Sequence, residues 1–240
     1  MLIALFLAVM AAGPATACAT TAFEGIGYTV CTAKKSDDVR LFLNGPNGAY
    51  GGFSAVDDAL APQGMKLEFA MNAGMFQPDL SPVGLYVEEG RQAKPIITRD
   101  GPGNFGLLPN GVFCIGTGFS VVESRAFARA RPECRYASQS GPMLVLNGAE
   151  HPAFRASSPS LYIRNGVGVS ADGGTAYFVI SDQAVNFDSF ARFFRDQLGT
   201  PDALYFDGSI SRLYAPGLGR SGTGFSIGPM VGVVVQAGGN

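Results

Sequence analysis

Tyr177-Phe178-Val179-Ile180, Asp188-Ser189-Phe190-Ala191-Arg192-Phe193-Phe194-Arg195-Asp196-Gln197-Leu198 and Ala203-Leu204-Tyr205-Phe206-Asp207 are the stretches that decide the fold class of this chain. The middle one sets Phe190, Phe193, Phe194 and Leu198 at i, i+3, i+4 and i+8, one face of a helix. Asn186 or Asp188 can cap its start, and Gly199 can end it. The flanking runs are short and apolar, as buried strands are. A crossover of this length can join parallel strands, so the pattern predicts a β-α-β unit near the C-terminus.

Working outward, Ile26–Ala33 and Val39–Leu43 read as strands around the polar stretch Lys34–Asp38. Ser54–Leu60 reads as a short helix, with Ser54 and Asp57 spaced like a capping box. Leu67–Met71, Gly84–Val87, Phe105–Leu108, Val112–Ile115, Phe119–Val122, Met143–Leu146, Tyr162–Val169 and Met230–Val235 are further strand candidates, bounded by Gly, Pro and Asn. Strands far outnumber helices. The expected fold is therefore α+β or mixed α/β: a strand-rich mixed sheet with few helices. With no linker or repeat, residues 18–240 read as one domain.

The 240 residues are 47% hydrophobic and 15% charged, enough for a core and unlike a disordered chain. The net charge is −2 and no basic stripe appears, which argues against nucleic acid as a partner. Met1–Ala12 is an apolar run without charge, broken by Gly13-Pro14 and followed by the small-x-small site Ala15-Thr16-Ala17. It reads as an export signal, residues 1–17, lacking the usual basic start. A lipoprotein acylated on Cys18 ranks second. No later segment is long and apolar enough to span a bilayer. The mature chain is expected in the periplasm or outside the cell, without stable membrane insertion. Four cysteines, Cys18, Cys31, Cys114 and Cys134, allow three pairings, and proximity favours Cys18–Cys31 with Cys114–Cys134.

Two catalytic-looking motifs fail on context. Gly217-Leu218-Gly219-Arg220-Ser221-Gly222 matches G-x-G-x-x-G but opens no helix, so it reads as a flexible loop. Gly224-Phe225-Ser226-Ile227-Gly228 matches G-x-S-x-G, yet no helix follows. The single histidine, His151, precedes that serine, against the order of a hydrolase triad. His151 lies in a polar loop and reads as a surface residue or one acting behind a site. Asp79, Asp100, Asp182 and Asp207 lack the tight D-x-D spacing of a metal site. The sequence calls for no cofactor and no metal.

The informative pattern is a set of Gly-bearing turns at strand ends: Asn72-Ala73-Gly74-Met75-Phe76, Ser138-Gln139-Ser140-Gly141-Pro142, Arg164-Asn165-Gly166-Val167-Gly168 and Asp207-Gly208-Ser209. Each alone suits an ordinary turn. Asp207 differs, because a carboxylate ending a buried strand sits where open α/β sheets place their sites.

Taken in order, N-A-G-M-F at Asn72–Phe76, S-G-P-M-L-V at Ser140–Val145, R-N-G-V-G at Arg164–Gly168 and Y-F-D-G-S at Tyr205–Ser209 resemble the phosphodiester glycosidase domain. That family includes N-acetylglucosamine-1-phosphodiester alpha-N-acetylglucosaminidase and many exported bacterial proteins, some labelled exopolysaccharide-biosynthesis-like. Thr98–Phe105 with Pro109–Phe113 resembles its bacterial YigE-like branch. The resemblance spans roughly Lys66 to Val235. One departure is Asp207-Gly208-Ser209-Ile210-Ser211 where the glucosaminidase branch carries D-G-G-G-S.

The resemblance implies hydrolysis of a glycosidic bond to a phosphodiester in an envelope or extracellular glycan. Phosphate leaves readily, so the site needs a cation, a carboxylate at the anomeric carbon and sugar-binding donors. Asp207, Arg164 and Asn72 are the catalytic candidates: Asp207 as nucleophile, base or oxocarbenium stabiliser, Arg164 as a forked phosphate contact. Asn104, Ser140, Gly141, Gly208 and Ser209 are the substrate-binding candidates. The alternative is a non-catalytic envelope protein that binds glycan in the same cleft.

Overall fold

The structure is a computed structural model that describes residues 17–238. The export signal expected over residues 1–17 lies outside the described residues, apart from Ala17.

Three sheets enclose the principal core. In the seven-stranded sheet the spatial order is Cys18–Phe23, Ile26–Lys34, Thr175–Ser181, Asn165–Val169, Asp202–Asp207, Met143–Leu146 and Ala149–Glu150. A five-stranded sheet runs Phe119–Glu123, Gly111–Ile115, Tyr136–Ser140, Tyr86–Glu88, Arg91–Lys94. A second runs Arg220–Ser221, Leu213–Ala215, Met65–Asn72, Met230–Gln236, Asp38–Phe42. Each contributes aromatic rings to the shared core: Phe178 lies 5.6 Å from both Phe69 and Phe113, and Phe113 lies 6.2 Å from Phe206. The strand-rich character and the scarcity of helices match the expectation.

The β-α-β expectation needs correction. Thr175–Ser181 and Asp202–Asp207 do run in the same direction, since Asn165–Val169 is antiparallel to both. They are not neighbours, because Asn165–Val169 lies between them, and the pairings within all three sheets are antiparallel. The apolar pattern reported burial and direction; it carried no information about an inserted third strand.

Between the outer two lies a helix, Phe187–Arg192, continued by a π-turn over Phe193–Gln197. It packs Phe190, Phe193 and Phe194 onto the outer face of the sheet. Asn186 caps it by accepting from the Ser189 amide at 2.9 Å. The other expected helix is Phe53–Leu60, whose capping box does not form. Its N-cap is Gly52, and Asp57 accepts instead from the Leu67 amide and the Tyr214 hydroxyl. The expected strand Phe105–Leu108 is also overturned: Gly103–Gly106 is a helical turn.

Both disulfides are present as proximity favoured, Cys18–Cys31 and Cys114–Cys134. The first occupies the Cys18 sulfur, which a lipoprotein thioether would require.

Candidate active site

The register of the central strand slips at its end. Gly166 pairs with Tyr205, but Asn165 pairs with Asp207, leaving Phe206 as the extra residue of a bulge. Such bulges re-aim side chains at strand ends. Here the bulge brings together Arg164, Asn165 and the turn that begins at Asp207.

Asp207 is buried, and its Oδ1 accepts from the amides of Gly208 at 2.6 Å and Ser209 at 2.9 Å. Burial raises its pKa above the ordinary carboxylate value, opposed by the amides of Ser209, Gly208 and Ile210. Asn165 crosses the gap to two other segments. Its Oδ1 accepts from the Asp207 amide at 3.0 Å and the Ser211 hydroxyl at 3.3 Å, while its Nδ2 donates to the Asn72 carbonyl at 3.0 Å.

Arg164 is wholly buried. Its Nε donates to the Val185 carbonyl and its Nη2 to the Ser160 carbonyl, both at 2.8 Å. The guanidinium lies 3.7 Å over the Phe187 ring, with Tyr162 and Tyr205 each at 5.4 Å. Nη1 is buried without a hydrogen-bond partner. None of the ion pairs among the described residues involves Arg164. Burial therefore lowers its pKa, with the Tyr205 phenol acting the other way. The forked phosphate contact expected from the sequence narrows to Nη1, because carbonyls hold the other two nitrogens.

Gly208 shows how tightly these groups approach. A Cβ there would lie 2.1 Å from the Tyr205 hydroxyl oxygen and 3.4 Å from Arg164 Nη1. Tyr205 is almost fully buried, and its phenol interacts with Arg164, Asp207 and Asn104. Asn104 and Ser209 are exposed at the edge of this cluster, where a ligand can reach them.

Other expected residues are placed nearby with different roles. Asn72 is fully buried, and both ends of its amide are used: Nδ2 donates to the Ile210 carbonyl at 2.6 Å and Oδ1 accepts from the Arg212 amide at 2.8 Å. It braces the 210–212 segment through both ends of its amide. Ser140 is likewise buried and donates to the Phe206 carbonyl at 2.9 Å, fixing the strand before Asp207. Gly141 admits the close approach of Asn110, whose Cβ would lie 2.5 Å from an added methyl group. His151 is buried, against the surface reading, and stacks on Phe154 at 4.9 Å. Phe154 stacks in turn on Phe187 at 5.0 Å, so His151 stands two rings behind Arg164.

Asn165, Ser160, Tyr205, Phe187 and Ser211 were absent from the sequence candidates. Asn165 and Tyr205 lay inside quoted motifs, beside or two positions from chosen residues. Ser160 reaches Arg164 from a loop that carries no signal of its own, and Phe187 from the first position of the capped helix.

Among the described residues no cluster of three or more His, Cys, Asp or Glu could hold a metal ion. No described helix is long and apolar enough to cross a membrane.

Comparison with known proteins shows what this fold and sequence are similar to. Escherichia coli (strain K12) YigE is 37% identical over 192 residues, covering 79% of this chain and 74% of the relative. The zebrafish N-acetylglucosamine-1-phosphodiester alpha-N-acetylglucosaminidase catalytic domain, auto-inhibited by its pro-peptide, shares the fold. Its TM-score is 0.61 at 14% identity, over 90% of this chain and 81% of that one. A Burkholderia pseudomallei K96243 protein, named as exported, superposes with a TM-score of 0.56 at 12% identity, over 87% and 74%. A family model described as phosphodiester glycosidase matches residues 65–233, and the chain belongs to that family.

Proposed function

We propose that this protein is an exported hydrolase that cleaves the glycosidic bond of a sugar-1-phosphodiester in an envelope or extracellular glycan. The observation that carries the reading is Arg164, a buried guanidinium that meets no carboxylate among the described residues. Its Nη1 makes no hydrogen bond of acceptable geometry, has the Tyr205 phenol near it and lies beside Gly208, the residue after Asp207. A phosphate oxygen supplies what that nitrogen lacks, a charge-assisted hydrogen bond in a low-dielectric setting. As the glycosidic bond breaks, negative charge moves onto the departing phosphodiester, and a fixed guanidinium stabilises it there. Asp207 then serves the anomeric carbon as nucleophile, base or oxocarbenium stabiliser. Asn104 and Ser209 hold sugar hydroxyls, and Tyr205 orients the phosphate between Arg164 and Asn104. Asn72, Ser140 and Asn165 keep the turn in place.

Export is supported by two disulfides, which persist in oxidising compartments, and by the name of the Burkholderia relative. Cleavage after Ala17 is part of the proposal, and intact mass of the exported protein tests it. The binding-only reading draws on one observation: two backbone amides already occupy Asp207 Oδ1. Release of phosphate ester from a panel of sugar-1-phosphodiesters decides between the two. Turnover by the intact protein supports hydrolysis; saturable binding of the whole panel without product would leave the binding module.

A further inference from the structure

A cavity of about 480 Å³ opens on the other side of the same strand ends. Ile163 lines it, whereas Arg164, the next residue, packs on Phe187; successive residues of an extended segment face opposite ways. Ser181, Asp182 and Ser211 form one wall, and the turn from Gly219 to Thr223 forms the other. The cavity therefore contains neither Arg164 nor Asp207, but it touches their scaffold. The Ser211 hydroxyl donates to the Asp207 carbonyl at 2.8 Å.

The second wall is the stretch that matched G-x-G-x-x-G without a nucleotide-binding context. Pro216–Leu218 makes a tight helical turn, and Arg220–Ser221 pairs with Tyr214–Ala215. This holds Arg220 over the cavity. Its Nη1 donates to Asp182 Oδ1 at 2.7 Å and Thr29 Oγ1 at 2.8 Å, and the Thr29 hydroxyl donates to the same carboxylate oxygen at 3.0 Å. Arg212 is the second cation. Its Nε, at 2.5 Å, and its Nη2 both donate to the Gly222 carbonyl, its Nη1 donates to the Phe225 carbonyl, and no ion pair among the described residues includes it. Two guanidiniums against one carboxylate leave the lining with one net positive charge. Phe225, fixed through its carbonyl by Arg212, is 80% exposed.

We propose that this cavity is a second binding site, for an acidic sugar unit such as a uronate ring. Its volume falls within the range of about 300–1,000 Å³ usual for small-molecule sites. The Asp182–Arg220–Thr29 triangle offers both donors and acceptors to neighbouring hydroxyls. The excess positive charge takes the sugar's carboxylate. The site extends the proposed substrate class to acidic glycans and stands independently of any hydrolysis at Asp207.

The test is binding of glucuronate, galacturonate, glucose and inorganic phosphate to the full chain, by ligand-observed NMR with thermal-shift readout. Uronates are expected to bind at least fivefold more tightly than glucose or phosphate. Thr223→Trp fills the cavity without touching the ion pair and should abolish uronate binding, while Asp207→Asn should keep it. Arg220→Gln should weaken it at least fivefold, and it carries the test if Thr223→Trp does not fold. Glucose or phosphate matching the uronates, no uronate binding, or binding that survives both substitutions would each overturn the proposal. Because these measurements do not depend on turnover, lost phosphodiester hydrolysis with retained uronate binding would sink the catalytic reading alone.

Discussion

Asp207→Asn separates a catalytic carboxylate from one that only braces its own turn. The carboxylate oxygen Oδ1 accepts two amides, at 2.6 and 2.9 Å. Asparagine presents an oxygen in the same place, so both bonds can survive in neutral form. A charge-assisted bond contributes about 1.5–3 kcal/mol and a neutral one about 0.5–1.5, so the exchange costs about 1 kcal/mol per bond. Against this, the substitution removes a carboxylate whose burial already raises its pKa. Because the folded pKa stays raised with those amides in place, desolvation outweighs them, and at neutral pH the substitution is expected to leave the melting temperature unchanged or slightly raised. Turnover on a sugar-1-phosphodiester should fall by about 10²-fold or more, because an amide is neither nucleophile nor base.

The pH dependence has a definite sign. A folded pKa above the unfolded one means that the native state holds its proton more tightly, so this group's contribution to stability is lost as pH rises through the raised value. Wild type should therefore lose stability relative to Asp207→Asn between the ordinary value of 3.8 and the raised folded value. If the ionised form reacts, the acid limb of activity should lie above the usual carboxylate range. Paired melts and rate profiles check both. A variant that melts early yet turns over normally per folded molecule would refute the assignment, leaving Asp207 as a turn brace.

Arg164→Met should abolish turnover and phosphate-ester binding while costing about 1–3 kcal/mol in chemical denaturation, the price of leaving a buried carbonyl without a donor. The cost should fall at the low end of that range, because the Val185 carbonyl keeps the Tyr162 amide at 3.1 Å and Ser160, the other acceptor, is an exposed residue. Gly208→Ala drives a methyl group to 2.1 Å from the Tyr205 hydroxyl oxygen, so kcat/KM should drop at least tenfold; unchanged kinetics would detach Tyr205 and Arg164 from the reaction. Replacing Cys114 and Cys134 together by serine opens a loop of sequence separation 20 and should cost about 3 kcal/mol, read by denaturation. Turnover per folded molecule should not change, since the bridge shares no hydrogen bond with the site residues.

What the sequence made legible was whatever a period or a turn residue encodes locally. The Phe190, Phe193 and Phe194 face and the buried strands on either side were readable, because burial writes itself as a pattern of apolar residues, and the cap was narrowed to Asn186 or Asp188. Strand order was not readable. Whether Asn165–Val169 slots between two parallel-running strands depends on contacts across the chain, which no local window contains. The site divides the same way. Asp207 and Arg164 stood out by charge at the ends of apolar runs. Asn72 and Ser140 looked equally functional, yet every polar atom they offer is spent on Ile210, Arg212 or Phe206. Asn and Ser in a Gly-bearing turn serve bracing and ligand binding with the same chemistry, and only three-dimensional accounting of their partners tells which.

That accounting also singles out two arginines. Arg40, Arg192, Arg195 and Arg220 each meet a carboxylate within 4 Å, as partly buried guanidiniums usually do. Arg164 and Arg212 do not, and burial lowers the pKa of both. An uncompensated cation away from water raises the free energy of the empty protein, fully so for the wholly buried Arg164 and in smaller part for the half-buried Arg212. Carbonyls, rings and hydroxyls relieve that only in part, because dipoles do not cancel a charge. A bound anion would relieve it fully, so the same desolvation that disfavours the unliganded state favours the liganded one. The two residues sit on segments joined through Asn72, Asn165 and Ser211, one beside Asp207 and one beside the Asp182–Arg220 pair. A ligand carrying negative charge at two points along its length, a phosphodiester and an acidic sugar, would satisfy both. Mixed phosphate and uronate titrations should then show two separable sites, one lost in Arg164→Met and the other in Thr223→Trp. A single site that disappears in both variants at once would contradict the division.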